Sequence, residues 1–178
     1  FTACQKKAVP VDPARGRFPG QKIDVHVHVS ARGMDRLVKL MDAHGIRHAV
    51  NVSGGFPGRG LEGALEAAQR FPGRISVMCN LPWRAMASVP DFVPQVVRIL
   101  EACRAAGAVG LKIEKGLGLG YRAPDGSRLR VDDPRLDPIF AAAGRLRLPV
   151  LIHTGDPQAF WKPVDASNER LDELTVHP

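Results

Sequence analysis

Histidine is sparse in this chain, six residues in 178, yet two of the six stand one residue apart in Ile23-Asp24-Val25-His26-Val27-His28-Val29. If the run is a strand, alternation puts Asp24, His26 and His28 on one face and the three valines on the other. Two imidazoles at i and i+2 project side by side and can approach one cation at about 2.0–2.1 Å while leaving coordination positions open. A solvated polar face would account for the same residues. A parallel sheet clad in helices buries both faces, however, and inward imidazoles would then be costly without a partner. A metal ion is the most economical partner, so His26 and His28 are read as ligands.

Other polar residues fall at matching places. His153 ends the apolar run Pro149-Val150-Leu151-Ile152, and Thr154-Gly155-Asp156-Pro157 then breaks the strand. Lys112 lies near the end of Val109-Gly110-Leu111-Lys112-Ile113. Together with His26 and His28, these residues gather at the carboxyl ends of strands, where parallel α/β enzymes build their sites from strand ends and the loops after them. Lys115-Gly116-Leu117-Gly118-Leu119-Gly120 does not open into a helix, which excludes a dinucleotide-binding loop. It reads as a mobile loop over the site, with Tyr121 and Arg122 either as substrate contacts or as plain surface residues. Asp156 is a further substrate candidate, although Asp-Pro is also ordinary turn chemistry. His44, His48 and His177 are read as structural.

The elements that must position these groups alternate. Strand-like runs near 22–29, 46–53, 74–80, 108–113 and 149–153 are separated by helical patterns near 34–44, 61–70, 90–106 and 138–146. Met34, Leu37, Val38 and Met41 repeat at i, i+3, i+4 and i+7, as do Val93, Val96, Val97 and Leu100, so each helix has one apolar stripe. Gly45 and Gly107 are placed for left-handed C-caps, and Asp137-Pro138 for an N-cap with a first-turn proline. Single helices between strands require the strands to run parallel. Element order alone leaves an open sheet and a closed barrel both available.

His-x-His on the first strand, a lysine at the end of the fourth and a histidine at the end of the fifth resemble the amidohydrolase superfamily. His153-Thr154-Gly155-Asp156-Pro157, Phe160-Trp161-Lys162-Pro163 and Asn168-Glu169-Arg170 are similar to the amidohydrolase-related branch that includes aminocarboxymuconate-semialdehyde decarboxylase. The resemblance implies an α/β fold, a (β/α)8 TIM barrel of which residues 22–178 supply the first five strands. It also implies a divalent metal, expected to be Zn²⁺, on His26, His28 and His153. A sixth-strand histidine and an eighth-strand aspartate, which would complete the site, are expected in sequence beyond this chain. Lys112 would bridge a second ion as a carboxylated lysine or else reach toward substrate. The implied reaction is hydrolysis of a small amide, ester or lactone by metal-activated water, with non-oxidative decarboxylation as the alternative within the branch. The alternative of another class is an inactive barrel that binds a partner. Five strands with two unpaired edges are expected to be poorly soluble and inactive alone.

Length and composition fit one folding unit, since 178 residues at 44% hydrophobic support one sizeable core. The net charge of +7 comes from 25 Lys and Arg scattered through every segment, and aromatics are 6%. A nucleic-acid partner, which would cluster its cations, is therefore not expected; a small-molecule substrate, which the charge allows to be anionic, is. No run is long enough to suggest a membrane span. Residues 1–21 read as an irregular lead-in. Its opening Phe1-Thr2-Ala3-Cys4 resembles the tail of a bacterial lipoprotein signal, or is an accidental tetrapeptide, and the residues leave both open. The chain would then work in the cytoplasm or, lipidated at Cys4, in the cell envelope. A homo-oligomer is a further expectation.

Overall fold

The computed structural model describes residues 21–89, 91–153, 155 and 157–176. Residues 1–20 of the irregular lead-in, with Cys4, as well as Asp156 and His177, lie outside them.

The chain is a mixed α/β protein with parallel strands. Its strands are β1 (Lys22–Val27), β2 (Ile46–Asn51), β3 (Ile75–Val77), β4 (Leu111–Ile113) and β5 (Val150–Ile152). Between and after them lie α1 (Met34–His44), α2 (Leu61–Gln69), α3 (Phe92–Ala106), the short α4 (Gly116–Leu119), α5 (Asp137–Arg145) and α6 (Leu171–Val176). β1, β2 and β3 form one parallel sheet in that order, and β4 pairs with β5 in parallel. The two sheets are stitched together where Val109 N donates to Val77 O at 2.9 Å, Cys79 N to Gly110 O at 2.9 Å and Lys112 N to Cys79 O at 2.8 Å. The strands therefore stand side by side in chain order. Among the described residues β1 and β5 each have one strand neighbour, and Ile23 and Val25 on β1 are 58% and 60% exposed.

The longer helices bury their apolar stripes in the core, whereas α6 buries no residue. Met34, Val38 and Met41 are buried on α1, and Phe92, Val96, Leu100 and Cys103 on α3, while Leu37, Val93 and Val97 pack partly buried against the same core. Burial of this kind contributes about 1.5–3 kcal/mol for a fully buried large aliphatic side chain. Gly45 at φ 64° and Gly107 at φ 110° close α1 and α3 in the left-handed conformation, as expected.

Two local expectations change. Asp137 is the first residue of α5 and does not cap it. The capping chemistry belongs to the preceding Asp-Pro pair, where the Asp133 carboxylate accepts from Arg135 N at 3.0 Å and Pro134 opens a 3-10 turn over Pro134–Leu136. The glycine-rich segment is folded back as the distorted turn α4, with Leu117 buried, Gly118 N donating to Leu129 O and Leu129 N donating to Tyr121 O, each at 2.9 Å.

Candidate active site

The carboxyl ends of β1, β4 and β5 bring the expected residues to one rim. β1 carries an irregularity between Asp24 and Val27, where Val25 and His26 stand against the single Val50 of β2. This bulge interrupts strict alternation, so Val25 and His26 are both exposed, and Asp24 Oδ1 accepts from His26 N at 3.0 Å. Bulges commonly re-aim a side chain beside a site. Here His26 and His28 remain neighbours, with ring centroids 5.2 Å apart and planes tilted by 51°.

Lys112 reaches the pair from β4. It is 3% exposed, and its Nζ lies 3.4 Å from His26 Nε2. Burial holds the Lys112 ammonium below its ordinary 10.5. His26 is likewise held below 6.5, first by partial desolvation, then by the positive charge of Lys112 and by His28 and His153, with Asp24 opposing. His153 is thus within electrostatic reach of His26. Its backbone N donates to Ile113 O at 3.0 Å, so β4 fixes its position beside Lys112.

The burial expected of His26 and His28 is not what the structure has: both are exposed, His26 on β1 and His28 just past its end, where β1 has β2 as its one strand neighbour among the described residues. Their ring nitrogens are also engaged. His28 Nδ1 pairs with Ser53 Oγ at 2.6 Å, and His153 Nε2 with Gly155 O at 2.9 Å. Among the described residues no three His, Cys, Asp or Glu side chains close together tightly enough to hold a metal ion. The donors suit a borderline divalent cation in kind, whereas the third corner is open.

Tyr121 is buried, its hydroxyl donates to Glu114, and the Arg84 guanidinium lies 5.8 Å from its ring centre. Burial and then the Glu114 contact push the phenol above its ordinary 10. A Cβ on Gly116 would stand 2.5 Å from Tyr121 Cζ, so the ring is clamped against the α4 turn. Arg122 is exposed, and its backbone bridges to Arg128. His48, near the opposite end of the sheet, is tied to Gly73 O at 3.0 Å and Ser76 Oγ at 2.9 Å.

Two asparagines at strand ends also shape the rim. Asn51, fully buried, takes Val29 N at 3.3 Å and Ser53 N at 3.1 Å on Oδ1 and donates from Nδ2 to Val29 O at 3.0 Å. Asn80 repeats the device one strand on, accepting from Gly55 N at 2.8 Å and donating to Val52 O at 3.2 Å. Sequence reasoning passed over Asn51, Ser53 and Asn80. Their signal was a short polar residue closing an apolar run at the same strand end as the histidines.

The amidohydrolase family model matches residues 23–175, and the chain belongs to that family. Among solved structures the chain resembles the crystal structure of a probable 2-pyrone-4,6-dicarboxylic acid hydrolase from Acinetobacter baumannii with citric acid bound, at 17% identity and a TM-score of 0.49. The alignment covers 76% of this chain and 50% of that one, so the chain spans about half of that protein's length. No curated protein matches the chain.

Proposed function

We propose that the chain supplies the first five strands of a (β/α)8 barrel in a metal-dependent hydrolase that acts on a small amide, ester or lactone. The observation that carries this is the gathering of His26, His28, His153 and Lys112 at one rim of parallel strands in a chain of the amidohydrolase family. His26, His28 and His153 would hold the divalent ion, expected to be zinc. Bound there, such an ion acidifies a water toward about pH 7 and polarises a carbonyl.

The chain's own residues do the rest. Partial desolvation and then the charge of Lys112 favour the neutral form of His26, in which one ring nitrogen carries a lone pair. The Lys112 ammonium, anchored in the core, presents positive charge beside that ring and favours an anionic group on the substrate. His153 Nε2 is engaged with Gly155 O, so that nitrogen can serve only after the ring turns away from it.

Equilibrium dialysis of the full chain against Zn²⁺, with metal analysis, tests the assignment. Saturable binding of one ion, weakened at least tenfold by His26→Asn and by His28→Asn, is expected. No saturable binding, or binding that both substitutions leave unchanged, would overturn it.

A further inference from the structure

His26 lies on β1 and His28 one residue past its end, and it is the ring of His28 that is met by a side chain from the loop after the neighbouring strand. Ser53 Oγ sits 2.6 Å from His28 Nδ1. Ser53 is itself exposed, two residues past the end of β2, where the core has no need of a hydroxyl. What fixes it is the buried Asn51 amide, which grips Val29, the residue after His28, by both its N and O, and grips Ser53 by its N. One side chain thus sets the spacing between the backbone that carries the imidazole and the backbone that carries the hydroxyl.

We propose that Ser53 is a positioning residue: its Oγ accepts a hydrogen bond from a protonated Nδ1 of His28 and thereby leaves Nε2 as the lone-pair nitrogen offered to the rim. A neutral imidazole has one N–H and one lone pair, so fixing the proton on Nδ1 decides which nitrogen can bind a cation or accept a hydrogen bond. Were the serine hydroxyl to donate to Nδ1 instead, the proton would sit on Nε2 and the rim would be offered a donor. Ligating histidines are commonly oriented by a partner on the second nitrogen, and losing that partner typically weakens metal binding by about 10–100-fold. The inference rests on the metal reading for its purpose, but the tautomer it specifies can be measured without any metal.

The experiment uses the full chain labelled with ring ¹⁵N histidine, metal-free, kept dilute and mildly alkaline, with the His28 signals assigned by their loss in His28→Asn. Expected is a protonated Nδ1 and a bare Nε2 at His28, a shift toward the opposite tautomer in Ser53→Ala, and restoration in Ser53→Thr. Zn²⁺ dissociation constants should follow the same order, rising about tenfold or more in Ser53→Ala and returning in Ser53→Thr. Because Ser53 is exposed, the thermal midpoint should stay unchanged in both variants. A wild-type His28 protonated on Nε2, or a tautomer indifferent to Ser53→Ala, would overturn the proposal. Absence of zinc binding by the wild-type chain would overturn the metal reading instead, and the tautomer would still decide the role of Ser53.

Discussion

Replacing Asn51 by alanine should destabilise the fold well beyond what the loss of three heavy atoms suggests. Asn51 is 0% exposed and makes three hydrogen bonds, from Val29 N, from Ser53 N and to Val29 O. At a net of about 1 kcal/mol for each, the loss comes to about 3 kcal/mol. The orphaned Val29 groups, part-buried, set the upper side of that range, while Ser53 N lies near solvent and sets the lower. With a urea slope of about 2 kcal/mol per molar, the unfolding midpoint should fall by about 1.5 M. Asn80→Ala, which removes two such bonds from a half-buried side chain, should cost about 2 kcal/mol by the same reckoning. Equilibrium urea unfolding followed by circular dichroism reads both. A loss below about 1 kcal/mol for Asn51→Ala, or a larger loss for Asn80→Ala, would refute the claim that this amide clamps the rim.

Two other substitutions probe charge. Arg135 beside Asp133, with Arg135 N bonded to the same carboxylate, holds Asp133 down to about 2 from an ordinary 3.8. That stabilisation is full above 3.8 and disappears as pH falls through 2, so Asp133→Asn should lower the thermal midpoint at pH 7 and converge with wild type near pH 2. Midpoints that stay parallel across that range would disprove the linkage. Lys112, depressed by burial, destabilises the fold progressively as pH drops from 10.5 through its lowered value. Lys112→Met keeps most of the unbranched stem without the charge and should raise the thermal midpoint at pH 7, with the gain shrinking toward pH 10.5. A midpoint lower than wild type at pH 7 would mean that the ammonium is satisfied in the core.

Much of the scaffold could be read from residue patterns, because apolar spacing and capping glycines are local. The stripes through Met34 and Val96 and the closures at Gly45 and Gly107 follow directly from chain-local chemistry. Strand ends were less legible. The first strand was expected to reach Val29, yet it stops at Val27, since Asn51 takes the backbone of Val29 from another strand and no local pattern announces that grip. The same limit hid Ser53, whose partner is 25 residues away. His26, His28 and Lys112 were legible as neighbours because period-two alternation and parallel order bring strand ends together. Their solvent exposure was not, since it depends on the neighbours that an edge strand lacks. Tyr121 read as either a substrate contact or a plain surface residue, and its burial against Gly116, which depends on the turn between them, removes the second.

Because spatial order along the sheet repeats chain order, assembly can advance as a zipper from the amino end, each βα unit docking on the one before it. The histidine pair at 26 and 28 would then be in place before His153, which arrives with β5. Among the described residues β5 pairs only with β4, so transient detachment of this strand would move the imidazole of His153 and leave those of His26 and His28 undisturbed.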